Sequence, residues 1–213
     1  MNIIAINGGP RKTWNTATLL HKAIEGARSK GAEVELFHLY DLTFKGCMSC
    51  FACKRRGSSS VGICAYKDGL TEIIHKIAAG GGLLLASPIY LGSVTGEMAS
   101  FLERVVYMGH SYEKDVKSWF PGTVHTAFIY TMGLSARMVD NYTPLFERHQ
   151  RQLGLLNGSG EYMVEANTYQ FTDYADYHAS AINAARKEEY RKEHFPLACD
   201  EAFRLGERLA ARG

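Results

Sequence analysis

The chain has 213 residues, of which 46% are hydrophobic and 22% charged, and its formal net charge is +2. That length can bury a core without disulfide staples, and the nearly balanced charge argues against nucleic acid and against an acidic carrier docking on basic partners. The opening Met1-Asn2-Ile3-Ile4-Ala5-Ile6-Asn7 has no basic leader and reads as a strand, and no run approaches the roughly 20 apolar residues of a membrane span. A cytoplasmic chain with reduced thiols is expected.

In chain order, Asn2 to Asn7 is a buried strand that stops at Gly8-Gly9-Pro10. Asn15 or Thr16 can cap a helix over 17–30, closed by Gly31. A second strand covers 33–39, and 41–67 is a long loop. Asp68 can cap a helix over 69–79, and Leu83 to Ser87 is apolar on both faces, as in the middle of a parallel sheet. Pro88 to Ser93 reads as a loop before a helix over 95–108. A strand at 123–131, a helix at 137–153, a strand at 160–169 and a final helix at 183–212, interrupted near Pro196, complete the list. Five strand–helix alternations predict an α/β fold with a parallel sheet covered on both faces, in one domain spanning 1–213. Residues 41–67 form an insert loop and 170–213 a C-terminal segment and helix.

The turn from Asn7 to Thr18 joins the first strand to its helix at the carboxyl edge of the sheet, where ligands bind. Gly9 lets backbone N–H groups approach an anion, the helix start through Ala17 offers orphan donors, and Thr13, Asn15, Thr16 and Arg11 add side-chain donors and charge. There is no G-x-G-x-x-G and no triphosphate loop, so a phosphate monoester suits this cradle best.

Gly8, Pro10, Arg11, Asn15 and Thr16 match the first loop of the NADPH-dependent FMN reductase and iron–sulfur flavoprotein families, and the chain resembles them over residues 2–135. Gly9 replaces a usual serine, and Trp14 is bulky where such loops carry something small. The resemblance implies a flavodoxin-like sandwich with a five-stranded parallel sheet in the order 2-1-3-4-5. It implies FMN, with Pro88, Ile89 and Tyr90 lining the ring, backbone groups of Leu91 and Gly92 at its polar edge, and Thr131 and Gly133 in a third loop. It further implies NAD(P)H as transient hydride donor and a homodimer or homotetramer. The cofactor carries the chemistry, so no side chain is named as catalytic.

Cys47, Cys50 and Cys53 form C-x2-C-x2-C, with Cys64 after ten residues. A [4Fe–4S] cluster, free thiols and zinc are three readings of this set. Iron–sulfur flavoproteins carry the same run in the same place with a shorter gap to the fourth cysteine. Two functions follow. One is an FMN oxidoreductase passing electrons from NAD(P)H to a quinone, flavin or metal complex. The other is an electron carrier linking FMN, a [4Fe–4S] cluster and a protein partner. Tyr169, Phe171, Tyr174, Tyr177 and His178 read as packing onto the body or a subunit interface, the alternative being a segment that covers a neighbouring subunit's flavin, and 186–194 reads as a solvated helix face.

Overall fold

The computed structural model describes residues 1–212. Its elements are β1 (Asn2–Asn7), α1 (Asn15–Ser29), β2 (Glu33–His38), α2 (Thr71–Ala78), β3 (Gly81–Tyr90), β4 (Ser93–Val94), α3 (Gly96–Gly109), β5 (Val124–Thr131), α4 (Thr143–Leu153), β6 (Asn157–Glu165) and α5 (Ala184–Ala210). Five parallel strands run in the spatial order β2-β1-β3-β5-β6, and the short β4 pairs antiparallel with the end of β3. The parallel order is the expected one; β4 is an added sixth strand.

Alternation along the central strands builds two cores. Ile3, Ala5, Leu84, Ala86, Ala127 and Ile129 face α1 and α5. Ile4, Ile6, Leu83, Leu85, Phe128 and Tyr130 face α2, α3 and α4. Because a strand projects successive side chains to opposite faces, these runs are apolar at every position.

Four expectations change. The stretch after Ser87 is not a loop: β3 continues to Tyr90 and returns as β4 through a hairpin with Leu91 at φ 48° and Gly92 at φ 90°. The helix at 137–153 is split, with 3-10 geometry over Ala136–Tyr142 and α geometry starting at Thr143-Pro144, where proline costs no hydrogen bond. β6 stops at Glu165, because Asn167 at φ 54° turns the chain. The last helix runs unbroken through Pro196. Phe195, Ala198, Ala202, Leu205 and Leu209 bury on both sides of that proline, so packing offsets the roughly 3 kcal/mol that an interior proline costs. Gly26 lies on the Phe203 carbonyl and Gly206 on the Ala23 carbonyl, so both helices use glycine to bring their backbones together.

Candidate functional site

The turn after β1 is fastened from below. Buried Asn7 accepts from the Gly9 N–H at 2.9 Å, and its amide meets His38 Nδ1 at 3.0 Å. Gly8 donates to the Ala86 carbonyl at 2.8 Å. Thr95 donates to the Gly8 carbonyl at 2.6 Å and accepts from Met98 N–H at 3.2 Å, so the cap of α3 also ties the first loop to the second. A Cβ on Gly8 would strike Met98 at 2.7 Å, and one on Gly9 would sit 3.4 Å from Pro88. The glycines therefore permit the two loops to meet.

Asn15 and Thr16 do not cap α1. The N-cap is Trp14, in extended geometry with no side-chain cap, and Asn15 and Thr16 occupy the first helical turn. Their side chains are used sideways. Thr16 Oγ1 meets Thr131 Oγ1 at 2.6 Å, joining the first loop to the third. Asn15 donates to the Tyr169 carbonyl at 2.8 Å and accepts from Arg191 at 2.6 Å. Among the described residues, the N–H groups of Asn15, Thr16 and Ala17 find no acceptor. These orphan donors at a helix start favour an anion.

A crevice of about 140 Å³ gathers Gly9, Arg11, Asn15, Thr16, Pro88, Ile89, Tyr90, Thr131 and Gly133. Thr13, Ala17, Leu91 and Gly92 do not line it: Ala17 packs in the core, and Leu91 is fully exposed at the hairpin tip. Trp14 lines it too, as its bulk in the first loop suggested, and Met132, Thr168, Tyr169 and Gln170 line it without having been foreseen as contacts. The crevice is smaller than the roughly 300 Å³ at which ligand pockets begin, because a strap after β6 reaches in. The Tyr169 carbonyl accepts from Trp14 Nε1 at 3.0 Å as well as from Asn15, and the Gln170 carbonyl accepts from Arg11 at 2.8 Å. The Gln170 amide lies on Gly133 and is held by Tyr174 Oη at 2.7 Å. The aromatic cluster packs within this strap, with Phe171 and Tyr177 stacked 4.0 Å apart.

The face at 186–194 is not wholly solvated. Lys187 is buried and donates to the Gly133 and Thr168 carbonyls at 2.9 and 3.0 Å; burial lowers its pKa. Burial also raises Glu165, at the end of β6, to about 7.

All four clustered cysteines line one small cavity of about 20 Å³ with Arg104 and Tyr107. Arg104 is only 1% exposed. It donates to Cys64 Sγ at 3.0 Å, to Asp68 at 2.8 Å, and to the Lys45 and Tyr66 carbonyls at 2.9 and 3.0 Å. Burial alone would raise the Asp68 carboxyl, but hydrogen bonds from Arg104, Leu70 and Lys45 hold it below its ordinary value. Asp68 thus anchors Arg104 as well as receiving Leu70 N–H at the entry to α2, whose N-cap is Leu70. Burial pushes the Cys53 thiol up. Among the described residues, no three Cys, His, Asp or Glu side chains are grouped closely enough to hold a metal ion. No described helix is long and apolar enough to cross a membrane.

An iron-sulfur flavoprotein of Methanocaldococcus jannaschii is 32% identical over 104 residues, 49% of this chain and 51% of that protein. The chain thus spans about half the length of the first such curated relatives. An iron-sulfur flavoprotein of Clostridioides difficile matches over 88% of this chain and 90% of its own length at 26% identity. The structure of an NAD(P)H:quinone oxidoreductase from Methanothermobacter marburgensis superposes with a TM-score of 0.70 at 13% identity, over 98% of both chains, which shows the shared fold. The model of the NADPH-dependent FMN reductase family matches residues 1–143, and the chain belongs to that family.

Proposed function

We propose that the crevice holds FMN, and that the protein is an oxidoreductase moving electrons from NAD(P)H to an acceptor such as a quinone, free flavin or metal complex. The observation that carries this is the uncapped start of α1, opening beside Pro88, Ile89 and Tyr90 across one crevice. Bound there, FMN supplies hydride and single-electron chemistry.

This chain's own residues position and shield it. The first-turn N–H groups of Asn15, Thr16 and Ala17, with Arg11 and Gly9, take the phosphate, and Thr13 stands at the outer edge of that turn. Thr16 and Thr131 fix the spacing of the first and third loops, and Gly133 keeps the third loop close. Pro88, Ile89 and Tyr90 offer a platform for the ring, with Leu91 and Gly92 presenting backbone at its edge. Carbonyls and phosphate oxygens are both acceptors, so Tyr169 and Gln170 must yield Trp14, Asn15 and Arg11 as phosphate enters. The exposed Tyr90 and Leu91 favour a homodimer or homotetramer that covers this edge. The single sheet between two cores favours one domain for the whole chain.

Titration with FMN tests the reading. A flavin spectrum, micromolar affinity and NADPH oxidation are expected. Colourless protein that takes up no FMN at high micromolar concentration overturns it.

A second reading rests on Cys47, Cys50, Cys53 and Cys64 lining one cavity. They are candidate ligands of a [4Fe–4S] cluster in an electron carrier, after the loop rearranges to release Cys64 from Arg104. Anaerobic purification with about four irons and four sulfides per chain supports it; iron-free protein that turns over NADPH excludes it.

A further inference from the structure

β2 is an edge strand, and its last residue pairs with the last residue of β1, so His38 stands beside Asn7. Asn7 is fully buried, and His38 is half-buried at the margin of the sheet. His38 does not line the crevice.

The hydrogen bonds around Asn7 fix which atom faces which. The Gly9 N–H can only donate, so its acceptor 2.9 Å away is the Asn7 side-chain oxygen. This closes an Asx turn from Asn7 to Gly9. The Asn7 amide nitrogen can also only donate, and it lies 3.0 Å from His38 Nδ1. Nδ1 must therefore accept, which makes the ring neutral with its hydrogen on Nε2. Gly9 sits where the turn meets its neighbours: a Cβ there would lie 3.4 Å from Pro88 and 3.7 Å from Thr16. His38, Asn7 and Gly9 thus carry the state of one ring nitrogen to the start of α1.

A proton on Nδ1 ends this arrangement. Two donors would then face each other, and Asn7 can satisfy the protonated ring only by turning its oxygen away from Gly9. The Gly9 N–H loses its acceptor in a buried place, where an unmade bond is costly. The charged and titratable groups around the ring are Lys12 from the turn, Asp41 after β2 and His21 from α1, and Lys12 and Asp41 pair with each other at 2.6 Å. Burial, then Lys12, hold His38 below its ordinary 6.5, against the pull of Asp41. A base whose folded pKa is lowered contributes stability that is complete above 6.5 and is lost as pH falls through the folded value.

We propose that His38 is a positioning residue for the turn before α1: its unprotonated Nδ1 holds Asn7 in the orientation that fastens Gly9, and a proton there releases Gly9 and weakens the turn's hold on a phosphate monoester. The effect on phosphate rests on the FMN reading of the crevice; the release of Gly9 does not.

The test is NMR of flavin-free, 15N-labelled protein from about pH 8 to about pH 5. At the alkaline end Nδ1 should show the shift of an unprotonated ring nitrogen. On acidification the Gly9 amide should move with the same midpoint as the His38 ring, below 6.5. In His38→Gln, whose side-chain oxygen accepts from Asn7 without titrating, the Gly9 amide should stay still. FMN affinity should fall about three- to tenfold more on acidification in the parent than in His38→Gln. Both proteins share the titration of the FMN phosphate itself near about pH 6, so the difference belongs to His38. Three results overturn the proposal: a hydrogen on Nδ1 at the alkaline end, a Gly9 amide that stays still while His38 titrates, or equal pH dependence of FMN affinity in parent and variant. The parent spectra decide the matter alone if the variant misfolds. Protein that takes up no FMN at any pH defeats the phosphate reading, and the Gly9 titration still decides the role of His38.

Discussion

The turn after β1 and the cysteine loop both sit at the carboxyl edge of the sheet and both carry a chemical motif, yet they are built differently. The turn is short and braced by its neighbours: Asn7, Gly8 and Thr95 bind it from inside, and its glycines touch Met98 and Pro88. Its orphan N–H groups are a consequence of where a helix begins. The cysteine loop has only short 3-10 turns of its own, and the buried guanidinium of Arg104 organises it from α3. Backbone donors left open by a helix start are in place once the fold forms. A side-chain-built metal site depends on rotamers that other partners can capture, as Arg104 captures Cys64.

Four substitutions probe this contrast. Arg104→Ala has the largest expected effect. It leaves Asp68 without its cation and two carbonyls without donors, and should cost about 3–5 kcal/mol in urea unfolding, with faster proteolysis within 45–66. A loop that stays protected would show that it holds itself.

Glu165→Gln acts at the end of β6. Its folded pKa of about 7 lies above the ordinary 4.5, so the folded state binds the proton more tightly. Stability should therefore fall as pH rises from 4.5 to 7 and remain lower above, and the glutamine variant should lose this slope. At pH 8 the variant is expected to be more stable by about 2 kcal/mol, measured by denaturation across pH.

Thr16→Val removes the buried bond to Thr131 and should cost about 1 kcal/mol while weakening FMN binding several-fold. An unchanged affinity would remove the third loop from the site. Tyr174→Phe is the smallest. It frees Gln170 from its tether, and a looser strap should admit FMN a few-fold faster in stopped-flow mixing. A slower rate would mean that the strap shapes the site rather than competing for it.

Gly8-Gly9-Pro10-Arg11 was readable as a turn because a strand must end there, and a helix start must leave donors open. Pro88 to Tyr90 was readable as its facing wall from the strand order. The strap was not, because Tyr169 and Gln170 act through main-chain carbonyls, which carry no residue signature. Trp14, seen only as bulky, proved to be a donor to that strap. The role of Arg104 beneath the cysteine loop was not readable either, since a lone arginine within an apolar pattern has no spacing that marks its partners.

The amino-acid order alone determined the wound sheet, its two apolar faces and the position of the glycine turn after β1, because strand and helix periodicities and glycine punctuation are local properties. Tertiary structure decided which donors stay free, which are already held by carbonyls, and whether four thiols face one another. Those outcomes depend on contacts between residues far apart in the chain, where burial and competing partners choose among rotamers that the sequence leaves equally available.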